Sequence, residues 1–487
     1  MPVFALCRDE SKVDFAIAVI DNPLSFTKPP EVTMRLMRSL LVLATFFVAA
    51  TVRAAEPVQI GVFKADVTPP LGAPLCDALC PPAKEIVDPL SARGIVITGS
   101  DAPIVLCAVD WVGIGNGGHD VWRAALAKAA GTSVDRVSVH CLHQHDAPGC
   151  DFEAETLLAA RGLAGAEFHV AFAHQAIERT RAAVREALAS LQPVTHVGLG
   201  VGRVEQVASN RRILGPDGKV QLGRMSSCRN EAARAAPEGV IDPDCRLLSF
   251  WRDDRPLASI TYYATHPQSY YGAGGVSADF VGMARRLREE AMPEVFHVHF
   301  NGAGGNVAAG KYNDGSHQMR PVLAERLAAG MQAAWDNTKK APIAAGDLQW
   351  RTLAVALPAS PTLEETKLLA ILDDATGEVR DRVRAARDLT WLRRAEAKHP
   401  IELSCLRLGP AYVVHMPGEL FIEYQLAAET LRPDALVCMA AYGDYGPGYI
   451  GTAIAYPQGG YETSRVSRVA PEVEGVLMGA LKNLLKD

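Results

Sequence analysis

Short apolar runs alternate with amphipathic segments along most of this chain, and that alternation constrains the fold more than any other feature. "GIVITG" and "PIVLCAVDWVGIG" are typical of buried strands, and "HDVWRAALAKAAG" is typical of an amphipathic helix that ends at a glycine. "RVSVHCL" predicts the next strand, and "AYVVHMPGELFIEYQLAAETL" repeats the pattern near the C-terminal end. With no internal repeat and no low-complexity linker, the sequence predicts one large α/β domain with mixed twisted sheets flanked by helices.

Residues 362–398 differ from this pattern because they are rich in charge at helical spacing. They predict one or two exposed helices, a solvated insert rather than a functional site.

Charge and composition exclude one class of partner. The 487 residues are 48% hydrophobic, enough for a large core, and the net charge is −6 with no basic block. A nucleic-acid partner is therefore not expected.

The N-terminal part predicts export. Residues 1–33 are expected to be a non-native or disordered extension, with Met34 as the true start. Residues 34–55 combine a positively charged start, a short apolar run and the small-residue stretch "VRAA", which together predict a secretory signal peptide. Residues 56–487 would then form the secreted or periplasmic catalytic domain, without a stable membrane anchor. Its nine cysteines are an odd number, so both disulfides and buried thiols stay open.

The stretch "VSVHCLHQHDAPGCD" places three histidines at the end of a predicted strand. Positions two apart share a face of a strand, so His143 and His145 should lie together while His140 points away. Two imidazoles on one face could hold a zinc ion. The alternative is a set of ordinary polar histidines in a loop.

Two further strand ends carry residues of the same chemistry. His266 lies in "YYATHPQSYY" and Glu419 in "VVHMPGE". Two histidines and one glutamate form a catalytic zinc set with a position open for water. Ligands that share an ion at ~2.1 Å bonds require the rings of His143 and His266 to lie within about 6 Å of each other. A structural histidine and a glutamate that only favours a helix N-terminus are the alternatives.

The chain resembles a known family through several motifs that occur in the family's order. "VSVHCLHQHDAPGC" resembles a His-Thr-His-Ser-Gly-Pro-Gly motif, "SNRR" an Asn-Arg-Ser motif, "ATHPQS" a His-Pro-Thr-Ser motif and "MPGE" a Pro-Gly-Glu motif. "YIGTAIAYPQGGYE" resembles a stretch from Tyr-Val-Thr-Thr to Tyr-Glu-Gly, and "IVLCAVDWVGI" resembles a strand that carries an aspartate, here Asp110. The family is the neutral, non-lysosomal ceramidases, secreted zinc amidases that cleave the N-acyl bond of ceramide. The resemblance covers their N-terminal catalytic domain.

This resemblance implies one Zn²⁺ per chain and a set of site residues. The implied metal ligands are His143, His266, Glu419 and Tyr456, with Tyr461 as an alternative to Tyr456 or as a second tyrosine lining the pocket. His145 or Asp146 would act as the general base, and Arg211 with the backbone N–H groups of Gly304 and Gly305 would stabilise an oxyanion.

One departure from the family concerns the nucleophile. The loop "NGAGGNVAAG" has Ala308 where the family has a serine proposed to act at the scissile amide. A metal that lowers the pKa of its bound water from 15.7 toward about 7 can supply the nucleophile without that serine. The sequence therefore predicts an exported zinc-dependent hydrolase of a lipid-like N-acyl amide, ceramide or a related compound. A metal-dependent esterase or phosphoesterase, and a degenerate member that only binds a lipid or glycan, are the alternatives.

Overall fold

The computed structural model describes residues 57–99 and 101–486. The predicted extension and signal peptide, residues 1–33 and 34–55, lie outside the described residues. The described residues form one compact unit. None of the helices within the described ranges has the length and apolar character needed to cross a membrane.

Three twisted β-sheets form the body of the molecule, and the bounds of their strands follow in spatial order. Sheet 1 contains Val137–Cys141, Ile104–Val109, Ser91–Thr98, Gln59–Asp66 and Gln192–Pro193. Sheet 2 contains Phe296–Asn301, Arg255–Tyr263, Asp244–Arg252, His196–Arg203 and Lys339–Pro342. Sheet 3 contains Leu348–Val355, Ile401–Leu408, Ala411–His415 and Leu436–Ala440.

Helices cover the sheets, as the sequence predicted for an α/β domain. Two helices lie against each sheet: Asn116–Ala130 and Val170–Ala189 on sheet 1, Asp279–Ala291 and Met319–Asp336 on sheet 2, Ile422–Leu431 and Val473–Leu484 on sheet 3. The remaining helices of the described chain are Phe152–Ala159, Glu231–Ala235, Glu365–Asp373, Val379–Glu396 and Ala455–Gln458. The architecture is thus repeated three times, although the sequence shows no repeat.

The inner faces of the three sheets meet in one shared apolar core. Ile104 and Leu106 of sheet 1, Ile260 of sheet 2 and Val413 of sheet 3 belong to it, and each is fully buried. Strands buried on both faces read as continuous Val, Ile and Leu runs. This explains why the sequence shows apolar runs rather than strict alternation.

One edge of each sheet is a parallel strand pair. Val137–Cys141 runs parallel to Ile104–Val109, Phe296–Asn301 to Arg255–Tyr263, and Leu436–Ala440 to Ala411–His415. The other pairs in these sheets are antiparallel. Parallel strands end at the same edge of a sheet, and crevices at the carboxyl ends of such strands are where open α/β sheets bind ligands.

The insert at residues 362–398 forms two helices, as predicted, but its second helix is not a solvated one. Glu365–Asp373 and Val379–Glu396 are helical, and Val383, Ala386 and Trp391 are buried. The Trp391 indole donates a hydrogen bond to the Arg468 carbonyl at 2.7 Å. The helix also carries a stripe of apolar residues that packs against the body of the domain, and the many charged residues made this stripe hard to recognise in the sequence.

Of the two possibilities left open for the cysteines, disulfides and buried thiols, the structure shows buried thiols. All nine in the described residues are free, and eight of them are buried. Burial raises the pKa of the Cys107 thiol, which keeps it protonated and unreactive.

Candidate metal centre

Three predicted ligands meet at the carboxyl ends of the parallel strands. One ligand atom each from His143, His266 and Glu419 lies within 4.8 Å of the others, and all three residues are buried. The ring centroids of His143 and His266 are 5.1 Å apart, inside the limit of about 6 Å for a shared ion.

His143 reaches this point through a sharp turn just after the strand Val137–Cys141. Its φ is +63°, a left-handed conformation that is uncommon for a residue with a side chain and is often found at functional sites. Its backbone N–H donates to the Trp111 carbonyl at 2.9 Å. The imidazole Nδ1 lies 2.6 Å from the Val112 carbonyl, and Nε2 lies 3.2 Å from Glu419 Oε2. A carbonyl can only accept, so Nδ1 carries the proton and donates.

His266 is held in the same way by a different loop. It follows the strand Arg255–Tyr263, and its backbone N–H donates to the Val307 carbonyl at 2.9 Å. Nδ1 donates to the Gly304 carbonyl at 2.5 Å, and Nε2 lies 3.0 Å from Glu419 Oε2. Burial lowers the pKa of His266 from 6.5, which favours the neutral ring.

Glu419 enters from sheet 3 through the turn at Pro417 and Gly418. Glu419–Leu420 pairs in parallel with Tyr449–Ile450, which fixes its backbone. Tyr445 Oη donates to Glu419 Oε1 at 3.1 Å. Burial alone would raise the pKa of Glu419, but the facing imidazoles hold it well below its ordinary value. The carboxylate is therefore ionised.

The glycine loop between Asn301 and Gly310 positions these ligands, and one of the two N–H groups predicted for an oxyanion hole is already bonded within the protein. The Gly305 N–H, expected to face an oxyanion, donates to the Leu420 carbonyl at 2.7 Å. Gly304 contributes its carbonyl, which fixes the His266 ring. A Cβ at Gly305 would lie 2.2 Å from the Glu419 carbonyl oxygen, so only glycine permits this close approach.

The structure does not bring Tyr456 to the cluster, which corrects that predicted ligand. Its hydroxyl lies 3.1 Å from Ser467 Oγ and donates to the Val469 carbonyl at 3.3 Å. From the same stretch of sequence, Tyr449 instead has its Oη 3.1 Å from His266 Nε2. Tyr461, the predicted alternative, is 49% exposed at the rim, and its ring centroid is 5.6 Å from that of Tyr449.

The two predicted general bases have different positions. The His145 ring lies 4.8 Å from the His143 ring, and His145 lines the cleft above the cluster. Burial and the neighbouring His143 lower the pKa of His145 well below 6.5. Asp146 instead accepts a hydrogen bond from the Gly272 N–H at 3.0 Å and pairs with Arg320 at 3.3 Å. Unlike His145, Asp146 is not among the residues that line the cleft.

Arg211 lies beside the cluster, as the "SNRR" motif predicted, and is 2% exposed. Its Nη1 donates to Tyr449 Oη at 3.1 Å and lies 3.3 Å from His266 Nε2. Its Nε pairs with Glu462 Oε1 at 3.0 Å. The guanidinium therefore places a fixed positive charge next to the phenol.

Sequence reasoning missed a group of three tyrosines in the loop that follows the strand Leu436–Ala440. Tyr442 stacks on His143 at 5.0 Å, Tyr445 bonds to Glu419, and Tyr449 lies against His266. The signal was the glycine-rich run "AYGDYGPGYIG", which places aromatic hydroxyls directly after a buried strand. Ala308, at the predicted serine position, is fully buried and pairs with Ser209.

The cluster adjoins a cleft with a volume of about 90 Å³. His143, Glu419, Tyr445 and Tyr449 form part of its lining, together with His145 and Tyr461. Within the described ranges this is the one group of three or more His, Cys, Asp or Glu side chains that could hold a metal ion.

Comparisons with known proteins agree with this arrangement at the level of the fold. No protein-family model and no curated protein matches the sequence. The solved structure of neutral ceramidase from Pseudomonas aeruginosa is similar with a TM-score of 0.65 and 17% identity, over 88% of this chain and 74% of that one. A ceramidase complexed with C2 is similar to the same degree, over 88% of this chain and 75% of that one. The chain therefore has the fold of neutral ceramidase, as its motifs predicted.

Proposed function

We propose that this protein is a zinc-dependent hydrolase that cleaves an N-acyl amide bond. The observation that carries the proposal is the convergence of His143 Nε2 and His266 Nε2 on one oxygen of Glu419, at 3.2 and 3.0 Å.

The donor set fits a bound cation. Each imidazole donates its Nδ1–H to a backbone carbonyl, at 2.6 Å for His143 and 2.5 Å for His266. In the neutral form of each ring, Nε2 is an acceptor, and both Nε2 atoms face the Glu419 carboxylate. Three acceptors at one buried point repel each other unless a cation lies between them. Imidazoles whose second nitrogen is anchored by a carbonyl are typical of metal ligands.

The same set indicates which metal and what chemistry. Two histidines and one glutamate are the ligands of catalytic zinc sites that keep a position open, and Tyr449 is placed to complete or vary the coordination. A zinc ion there would lower the pKa of a bound water and polarise the scissile carbonyl. One ion per chain is expected.

The remaining roles belong to side chains of this protein. His145 lines the cleft as a neutral imidazole, so it can take a proton from the attacking water and pass it to the leaving amine. Arg211 holds a positive charge next to Tyr449 and His266, where it stabilises negative charge that develops at the carbonyl oxygen.

The amide bond is the bond class that the fold supports best, because the similar solved structures are ceramidases. We place the mature enzyme outside the cytoplasm, as residues 34–55 predict.

Metal analysis of the purified chain, followed by a panel of N-acyl amides, esters and phosphoesters, tests this proposal. We expect close to one zinc per chain and turnover of amides that stops after chelation and returns with added zinc. Faster turnover of esters or phosphoesters than of every amide would mean that the protein is an esterase or phosphoesterase instead of an amidase. Retained zinc with tight ligand binding and no turnover would identify a binding protein and overturn the enzymatic proposal.

A further inference from the structure

Part of the cleft lining is strongly cationic. The helix Val379–Glu396 and the segment after Tyr461 together contribute five arginines to the lining: Arg380, Arg384, Arg387, Arg465 and Arg468. No acidic residue other than Asp77 and Glu419 lines the same cleft. Three of the five, Arg380, Arg384 and Arg387, belong to the insert that the sequence predicted to be solvated.

Two of the five arginines have structural partners. Arg387 pairs with Asp77 at 2.8 Å and with Glu167 at 3.2 Å, and its guanidinium lies over the Tyr445 ring. Arg468 pairs with the buried Asp388 at 2.5 Å. Their charges are balanced inside the protein, so they hold the helix against the site.

The other three arginines lack such compensation. Arg384 has only a long contact of 3.5 Å to Asp381, a carboxylate that is 58% exposed. Arg380 and Arg465 have no ion pair within residues 57–99 and 101–486. All three line the same cleft, and burial, followed by the like charges of Arg465 and Arg380, lowers the pKa of Arg384.

Unbalanced guanidiniums at the mouth of a cleft form a binding site for an anion. Guanidinium groups bind carboxylate and phosphate through charge-assisted, often bidentate hydrogen bonds. The same rim also carries apolar surface, because Leu79 is 42% exposed and Tyr461 is 49% exposed. A ligand that suits this rim has both an apolar part and a negative charge.

We propose that Arg380, Arg384 and Arg465 select an anionic N-acyl substrate, one whose carboxylate or phosphate lies on these arginines while its amide lies at the metal centre. This inference rests on the proposed function and sharpens it, since ceramide carries no charge. The anion is the specificity determinant, and the apolar rim accepts the chain next to it.

The test compares three substrates that share one acyl chain. N-dodecanoylglycine carries a carboxylate, N-dodecanoyl-phosphoethanolamine carries a phosphate, and N-dodecanoylethanolamine is neutral. We expect kcat/KM to favour one or both anionic amides over the neutral one. The preferred anion identifies the group that the arginines bind, and the preference should weaken as ionic strength rises.

Replacement of both Arg384→Gln and Arg465→Gln should lower this preference by on the order of tenfold to a hundredfold, mainly through KM, because hydrogen bonds to a charged group are lost. Arg393→Gln is the matched control, since Arg393 lies on the same helix, outside the cleft lining, and pairs with Glu365 at 2.6 Å. Equal kcat/KM for all three substrates, or an unchanged preference in the double variant, overturns the inference.

Calorimetric binding separates this inference from the proposed function. His143→Asn should bind N-dodecanoylglycine or N-dodecanoyl-phosphoethanolamine without cleaving it, and the added Arg384→Gln and Arg465→Gln changes should weaken that binding. If the wild-type protein cleaves no amide, the proposed function fails. Selective binding of the anionic compounds would then still support the arginine site, and equal binding of the neutral compound would exclude it.

Discussion

The molecule contains two buried pairs of histidines that look alike in spacing but differ in chemistry. His143 and His266 have ring centroids 5.1 Å apart, and His140 and His415 have ring centroids 5.4 Å apart. All four side chains are at most 3% exposed. The same two strands lead to both places in the structure. The strand that carries His140 precedes His143, and the strand that ends at His415 precedes Glu419, the carboxylate of the metal cluster.

The difference lies in what the ring nitrogens face. His140 Nδ1 donates to the Ala441 carbonyl at 2.7 Å, and its Nε2 accepts from Ser138 Oγ at 2.8 Å. His415 Nδ1 lies 3.1 Å from Ser404 Oγ. Three nitrogens of this pair therefore contact hydroxyls and a carbonyl, and His415 Nε2 has no hydrogen-bond partner among the described residues. His143 and His266 instead turn Nε2 toward a carboxylate. Closeness of two imidazoles does not make a metal site; a shared anionic partner does.

Substitution of a ligand tests this distinction most strongly. His143→Asn and His266→Asn should each lose bound zinc and lower amide turnover by about a thousandfold, because the metal supplies several kcal/mol of transition-state stabilisation. His140→Asn is the matched control, a buried histidine from the same segment, and should keep its zinc. Metal content by mass spectrometry and kcat/KM are the measurements. Full zinc in both ligand variants, or zinc loss in the control, would contradict the assignment.

A comparison of two tyrosines tests which phenol belongs to the metal site. Tyr449→Phe removes the hydroxyl 3.1 Å from His266 Nε2 and should lower turnover by about tenfold to a hundredfold, the range typical of residues that tune a metal site. Tyr456→Phe removes a hydroxyl that bonds to Ser467 and Val469 rather than to the cluster, so its effect should be within about twofold. A larger loss in Tyr456→Phe than in Tyr449→Phe would restore the ligand that the sequence predicted.

The sequence predicted the three-residue cluster because each ligand directly follows an apolar strand. His143, His266 and Glu419 could be found from strand ends alone, and parallel pairing then brings them to one edge. It could not decide among Tyr449, Tyr456 and Tyr461, which lie in one stretch. The choice depends on the two-residue pairing of Glu419–Leu420 with Tyr449–Ile450, a contact without a sequence signal of its own.

For three other predictions, the positions seen in the structure depend on tertiary contacts that the sequence does not show. Asp146 follows His145 directly, but its carboxylate forms an ion pair with Arg320, which is far away in sequence. Gly305 was expected to offer its N–H, yet the Leu420 carbonyl accepts that proton because the chain passes close to Glu419. The charges of the helix Val379–Glu396 are evident in the sequence. Its placement along the cleft, however, depends on the ion pairs of Arg387 with Asp77 and Glu167.

The last comparison concerns His140 and His415, the pair without a shared carboxylate, and its response to acid. Burial lowers the pKa of His140 to about 3 from 6.5. The folded protein keeps this ring neutral, while the unfolded chain binds a proton below about pH 6.5, so the free energy of unfolding falls as pH drops from 6.5 toward 3. One such group contributes up to about 1.4 kcal/mol per pH unit in that window.

His140→Asn removes this one proton and retains an amide that can donate to the Ala441 carbonyl. We expect the variant to lose stability at neutral pH, where packing and the Ser138 hydrogen bond are disturbed, but to lose less further stability on acidification. The slope should not vanish, because the buried His299, whose pKa is also lowered to about 3, titrates in the same direction. Denaturation midpoints of metal-depleted wild type and variant between pH 4 and 7 measure the difference. Parallel curves would mean that His140 already binds its proton in the fold, and the contrast between the two histidine pairs would then rest on the carboxylate alone.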